Sequence, residues 1–198
     1  MHVHDCVQTA TLLPTMLVET LKRHHIPYLL NTTRDCTMKF EHLIAINDPL
    51  NPLIDTLTRE QLWRGLVLRA EDPKRFIPHL DECTIGERDA GTFTRRQRFG
   101  ELVIDDRVIL SPLESVRFDV PAQGEIAQSS LVMAIEAPAE GVLLVRFTYD
   151  DGNGAATDEM SKMYEDFKKS AYQEADIDTI KIVRQLASEG KLDASYLN

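Results

Sequence analysis

Alternating apolar positions in residues 40–47 predict the first strand of the chain. The residues that share one side of this segment are Phe40, His42, Ile44 and Ile46. A period of two is typical of a strand, and this one is apolar enough to be largely buried. The turn-forming pairs Asp48-Pro49 and Asn51-Pro52 end it.

The pattern then changes to a helical one. Thr58 is placed to cap a helix over residues 59–70, in which Leu62, Leu66 and Ala70 recur at helical spacing. A second short turn is expected after Pro73.

Short runs of period two fill residues 80–150. Turn residues separate these runs: Asp89-Ala90-Gly91, Gly100-Glu101, Ser111-Pro112, Gly124 and Glu140-Gly141. Such spacing predicts an antiparallel meander. In the last run, Leu143, Val145 and Phe147 alternate with polar Arg146 and Thr148, which predicts one apolar face and one face exposed to water.

A long helix is expected to cover the apolar face. Residues 152–157 predict a turn with Thr157 as the N-cap, and the helix is expected to end near Gly190. The apolar residues that recur at helical spacing, and that we expect to face the sheet, are Met160, Met163, Tyr164, Phe167 and Ala171.

Residues 1–37 differ from the rest of the chain. They hold three basic and three acidic residues, so the net charge of −10 belongs entirely to the later residues. Within them, residues 11–25 could form a short helix with Leu12, Leu13, Met16, Leu17 and Leu21 roughly on one face, but Pro14 and Pro27 limit it. We interpret residues 1–37 as an N-terminal extension and hypothesise an erroneous upstream start, with one domain over residues 38–190 and a tail over residues 191–198.

Composition narrows the classes of function. The 198 residues include 22 Lys and Arg against 32 Asp and Glu, and this acidic balance argues against nucleic-acid or anionic-membrane partners. No uncharged apolar run reaches the roughly 18 residues of a membrane span. Three widely spaced cysteines suggest neither disulfides nor a zinc site, so we expect a cytoplasmic protein without metal or cofactor. The oligomeric state is left open, a homodimer being one option.

The order of elements is that of the α+β helix-grip fold, also called START-like. Four segments carry a resemblance: residues 57–66 (LTREQLWRGL), 69–73 (RAEDP), 76–80 (FIPHL) and 92–100 (TFTRRQRFG). They resemble the AtaL-like family of the START-like, or SRPBCC, superfamily, over about residues 38–190. The resemblance implies a hydrophobic cavity between the sheet and the long helix. It implies no particular reaction, because the superfamily includes lipid carriers, hormone receptors, and polyketide cyclases and aromatases.

Residues 92–99 carry the most informative polar pair. If Phe93 and Phe99 point inward, Arg95 and Gln97 must also point inward. A buried guanidinium needs a partner, so this pair either anchors a ligand's carboxylate, carbonyl or enolate, or is structural, in an ion pair or in a register that places both side chains at the open rim. For the second alternative the candidate partners are Glu82 and Asp106.

Aromatic and methionine side chains form a candidate lining for the cavity, and the alternative is that they pack as ordinary core. These residues are Trp63, Phe118, Met133, Phe147, Tyr149, Met163, Tyr164 and Phe167.

Two classes of function follow, and no catalytic residue is assigned. The first is a binder or carrier of a small hydrophobic or amphipathic molecule whose polar end meets Arg95 and Gln97. The alternative is a polyketide cyclase, aromatase or dehydratase in which Arg95 polarises a carbonyl and Tyr149 or Tyr164 moves a proton. A third interpretation is a filled core that only offers a dimerisation surface.

Overall fold

A computed structural model describes residues 37–51, 53–154 and 159–193 of the chain. The strands are β1 (Thr37–Asn47), β2 (Glu82–Asp89), β3 (Thr92–Phe99), β4 (Leu102–Ser111), β5 (Ser115–Val120), β6 (Ser129–Glu136) and β7 (Leu143–Gly154). The helices are α1 (Arg59–Glu71), a 3-10 turn (Pro73–Arg75) and α2 (Glu159–Ser188). The expected helix in residues 11–25, the N-cap Thr157 and residues 194–198 lie outside the described residues.

The seven strands form one antiparallel sheet in the order β1-β7-β6-β5-β4-β3-β2. Strands β2 to β7 follow one another as the predicted meander, and β1 pairs with the last of them. The predicted alternation in β3 is confirmed: Phe93, Arg95 and Gln97 are buried, whereas the residues between them are exposed. One face of the sheet therefore carries the core and the other carries polar side chains.

Strand β7 is longer than the sequence predicts. It continues through Gly152 to Gly154, where we expected a turn. The reason is its neighbour β1, which begins at Thr37 and pairs as far as Thr37 with Gly154. Gly152 and Gly154 therefore lie in β7 beside the edge strand β1, and Gly154 pairs with Thr37.

Helix α1 begins as predicted at Thr58. The Thr58 hydroxyl accepts a hydrogen bond from the Gln61 amide (3.1 Å), and the Gln61 side chain accepts one from the Thr58 amide (3.0 Å), which makes a capping box. Leu62, Leu66 and Ala70 face the core. At Gly65 the two helices come so close that an added Cβ would lie 2.5 Å from Val183 Cγ1.

Helix α2 contradicts the expected orientation of its first half. The side chains of Met160, Met163, Tyr164 and Phe167 are exposed. The α2 side chains that are buried in the interior are different ones, and they include Asp176, Ile180 and Val183. At about 3.6 residues per turn, the exposed Phe167 and the half-buried Tyr172 point about 140° apart. The local apolar pattern and the buried face of α2 therefore lie on nearly opposite sides of the helix. No described helix is long and apolar enough to cross a membrane.

Candidate functional site

Arg95 is held in a closed network on the inner face of the sheet. It lies directly across from Asp106, and its Nε and Nη2 donate to Asp106 Oδ1 (2.9 Å) and Oδ2 (2.5 Å). Gln97 Nε2 donates to the same carboxylate (2.9 Å). Arg95 Nη1 donates to the Ala70 carbonyl (2.9 Å), one of the last carbonyls of α1. Both charged side chains are 5% exposed or less.

This geometry corresponds to the ion-pair alternative with Asp106. The other candidate partner, Glu82, is exposed and pairs with Arg98 instead (3.3 Å). The guanidinium carbon of Arg95 also lies over the Phe118 ring, 4.7 Å from its centre. The Arg95 network therefore holds β3, β4 and the end of α1 together.

A second guanidinium, from Arg69, approaches the same aromatic ring. Arg69 lies in the last turn of α1, and its guanidinium carbon is 5.5 Å from the centre of the Phe118 ring. Its Nε donates to Thr179 Oγ1 on α2 (3.1 Å). Among the described residues no carboxylate pairs with Arg69. A half-buried cation with this environment is available to an anionic or carbonyl oxygen.

The carboxylate of Asp176 lies at the centre of a second polar cluster. Asp176 has no exposed surface, although it is on a helix that covers the sheet. Its Oδ2 receives a hydrogen bond from the Tyr149 hydroxyl (2.7 Å) and lies 2.8 Å from His42 Nε2. His42 is on β1 and Tyr149 on the neighbouring β7, two residues beyond Phe147, which pairs with His42. Three distant parts of the sequence thus meet at one buried carboxylate.

The tyrosines of this region remain protonated far above neutral pH. Burial, followed by the negative charge of Asp176, raises the pKa of Tyr149 well above its ordinary value. Tyr172 on α2 stacks on Tyr149, with ring centres 4.2 Å apart and planes within 1°. Burial, followed by the charge of Asp151, raises the pKa of Tyr172 to about 12. Tyr149 therefore acts as a hydrogen-bond donor to Asp176.

His42 has one buried nitrogen without a partner. Its ring stacks between Phe147 (5.2 Å between centres) and Phe40 (5.5 Å), while Nε2 is engaged by Asp176. Nδ1 is buried and makes no hydrogen bond to any residue in the described ranges. When Nε2 carries the proton shared with Asp176, Nδ1 presents a lone pair. An unmade hydrogen bond of this kind costs about 1–3 kcal/mol.

An ion pair joins the first half of α2 to β7. Lys168 Nζ contacts the Asp151 carboxylate, and both side chains are largely buried. The ammonium also lies 5.9 Å from the centre of the Tyr164 ring.

The predicted lining residues divide into three groups. Phe118, Met133 and Phe147 are buried in the core, and Trp63 is half-buried against it. Tyr149 belongs to the Asp176 cluster. The others, Met163, Tyr164 and Phe167, were expected to face the sheet, and this placement is wrong because α2 turns its other face inward.

Sequence reasoning did not identify Arg69 or Asp176, and it placed His42 on one side of β1 without giving it a role. His42 stood in the inward set of β1, which was a usable signal. Asp176 stands four residues before Ile180 and seven before Val183, so the buried face of α2 could have revealed it. Arg69 carried no such signal, since it meets a residue 110 positions away.

Two open depressions lie outside this interior. One of about 960 Å³ is formed mainly by outer-face side chains of the sheet, among them Lys39, Arg107, Arg117 and Asp150. The second, of about 690 Å³, lies over β2 to β4 beside Thr84, Thr94 and Arg96. Within the described ranges no group of three His, Cys, Asp or Glu side chains is arranged to hold a metal ion.

Comparison with family models matches residues 44–190, more than half of the chain, to "AtaL: Acetylaranotin biosynthesis cluster protein L". The chain belongs to the AtaL family. A comparison with curated proteins finds no match to it.

Solved structures similar to this AtaL-family chain share its helix-grip fold. The Zhui aromatase/cyclase from Streptomyces sp. R1128 has a TM-score of 0.53 at 15% identity, over 80% of this chain and 98% of that one. The di-domain aromatase/cyclase StfQ from the steffimycin biosynthetic pathway has 0.55 at 10%, over 78% of this chain and 52% of that one. Ara h 8.0201 has 0.50 at 15%, over 77% and 99%. At identities this low, structural similarity establishes the fold alone, so the function has to be argued from the site.

Proposed function

We propose that this AtaL-family chain binds a small, mainly apolar molecule between the inner face of the sheet and α2, with a polar oxygen of that molecule at Arg69. The observation that carries the proposal is the Arg69 guanidinium, which lies beside Phe118 without a described carboxylate partner. A cation in apolar surroundings is costly unless a partner compensates it. A carboxylate, carbonyl or enolate oxygen of a ligand would supply that partner.

The anchor in this proposal differs from the one expected from sequence. Arg95 and Gln97 already satisfy Asp106, so recruiting them would break a buried ion pair. Arg69 can accept a ligand without such a loss. The aromatic surroundings, with the stacked Tyr149 and Tyr172 nearby, favour a flat, ring-containing ligand.

The test compares an aromatic carboxylate with its uncharged isostere. Calorimetry would measure binding of naphthalene carboxylate and methylnaphthalene to the full chain, to Arg69→Met and to Arg107→Met, a matched control on the outer face of β4. A charged hydrogen bond is worth about 1.5–3 kcal/mol. We therefore expect Arg69→Met to weaken carboxylate binding by about 10- to 100-fold. The isostere and the control should change little.

Two results would reject this function. One is unchanged carboxylate binding by Arg69→Met. The other is a clean ligand-free mass by native mass spectrometry, together with no binding across a panel of aromatic acids and ketones. That second result would favour a filled core.

A second candidate is an enzyme of the cyclase, aromatase or dehydratase kind, and the unpartnered His42 Nδ1 favours it. Nδ1 would take a proton from the carbon beside a carbonyl, and the electron pair would move onto the carbonyl oxygen at Arg69. Asp176 would stabilise the resulting imidazolium through Nε2. Tyr149 is unsuited to act as the base because its pKa is raised, and Tyr164 is exposed.

Exchange of substrate protons separates the enzyme from the carrier. NMR would follow deuterium exchange at the central carbon of an aryl β-diketone with the native chain, His42→Gln and Tyr149→Phe. An enzyme should exchange faster than buffer and lose about 10²–10⁴-fold in His42→Gln, with a smaller loss in Tyr149→Phe. Binding without any exchange above buffer would reject the enzyme and leave the carrier.

A further inference from the structure

The first three turns of α2 expose a stripe of large apolar side chains. The α2 stripe consists of Met160, Met163, Tyr164 and Phe167, which are 72, 66, 42 and 44% exposed. Their spacing of i, i+3, i+4 and i+7 places them on one side of the helix. This side faces away from the sheet, and no other described element covers it. Contiguous apolar surface of this kind marks a place where another segment or molecule docks.

The N-terminal segment of the same chain joins the fold beside this stripe. Residue Thr37 begins β1 and pairs with Gly154, the last residue of β7. Only residues 155–158 separate Gly154 from Glu159, where α2 starts. Paired Cα atoms lie about 5 Å apart, and five further residues span at most about 18 Å. Residues 1–36 therefore enter the fold close to the first turn of α2.

The apolar and charged residues of this N-terminal segment are complementary to those of the α2 stripe. Its apolar positions in residues 11–25 occupy one side of the expected helix: Leu12, Leu13, Met16, Leu17 and Leu21. The basic pair Lys22-Arg23 follows them, whereas acidic Glu159 and Asp166 flank the stripe. The segment has no net charge, so the −10 charge of the remaining chain does not repel it.

We propose that residues 11–25 of the same chain dock on the α2 stripe and bury it. The occupant is this segment rather than a second copy because the segment is tethered within reach, which gives it a high effective concentration. The proposal gives residues 1–37 a structural role, in contrast to the hypothesis that they arise from an erroneous start. It is independent of the ligand proposed above, because Arg69 contacts α2 at Thr179, more than three turns beyond Phe167, the last residue of the α2 stripe.

Oxidation of methionine side chains by dilute hydrogen peroxide tests the docking. Peptide mapping of the full 198-residue chain would give the oxidation rates of Met160 and Met163. Fully buried Met133 reports that the fold is intact, and a free methionine derivative provides the exposed reference. A docked segment should slow both stripe methionines by about 5- to 30-fold relative to that reference.

Two pairs of variants identify the occupant. Leu13→Asp with Leu17→Asp should restore fast oxidation of the stripe, whereas Thr11→Asp with Thr15→Asp, on the opposite side of the expected helix, should not. Oxidation of the native chain as fast as the free derivative would overturn the proposal. So would protection that ignores the leucine variants and disappears on dilution, because that result assigns the stripe to a second copy.

Discussion

Two adjacent aspartates on β4 allow a stringent test of the buried network. Asp106 and Asp105 each form a two-pronged ion pair with an arginine on β3, but Asp106 faces the core and Asp105 faces water. In Asp106→Ala, Arg95 loses two hydrogen bonds and its counter-charge, and Gln97 loses its acceptor. Breaking a buried pair in this way costs about 3–5 kcal/mol. Asp105→Ala should change stability little, because both members of its pair with Arg96 are solvated.

Urea unfolding monitored by the single tryptophan, half-buried Trp63, measures both variants. In Asp106→Ala the free energy of unfolding should fall at constant m-value. The loss should be a large share of the roughly 5–15 kcal/mol that is typical of a domain. Replacing the pair together, as Arg95→Met with Asp106→Leu, should recover most of the loss, since a buried pair is about as stable as its apolar replacement. Equal effects of Asp105→Ala and Asp106→Ala would refute the reasoning.

Three further predictions concern the helices and the core. Because the pKa of Tyr172 is raised from 10 to about 12, the folded state keeps a proton that the unfolded chain has lost, so stability should fall by up to about 1.4 kcal/mol per pH unit between pH 10 and 12. Urea midpoints across this range should fall less steeply in Tyr172→Phe. Gly65→Ala should destabilise the fold by about 1–3 kcal/mol, because the added methyl group overlaps Val183. Adding Val183→Ala should remove the loss caused by this overlap, and a double-mutant cycle would measure the recovery. Met133→Ala should lower the unfolding free energy by about 2–5 kcal/mol, whereas Leu53→Ala, at an exposed position before α1, should leave it nearly unchanged in thermal and urea unfolding.

The strands could be predicted because their information is local. A period of two placed Phe93, Arg95 and Gln97 on the inner face, and the same pleat in β4 places Asp106 opposite Arg95. The ion pair was therefore within reach of the sequence, and it was one of the two alternatives. Deciding between the alternatives needed the distances themselves, because an inward arginine is compatible with either a protein or a ligand partner.

Helix α2 shows where local pattern fails. Its first half has the clearest apolar stripe in the helix, yet tertiary packing selects another side that includes Asp176 and Thr179. The choice depends on contacts with α1 and β1, such as the approach of Gly65 to Val183, which no window of neighbouring residues contains. Likewise, His42 and Asp176 are 134 residues apart, so their hydrogen bond could not be inferred from spacing.

The two polar networks of the interior differ in a way that separates stability from function. Around Asp106, the Arg95 guanidinium and the carboxylate compensate each other's charge and Gln97 donates to the same carboxylate, so the network stabilises the register of β3 and β4. Around Asp176, His42 Nδ1 lacks a partner and the nearby Arg69 lacks a carboxylate. Unsatisfied groups cost stability, and selection for folding alone would favour apolar replacements at both positions. This difference between the two networks supports the proposal that a ligand completes the second one.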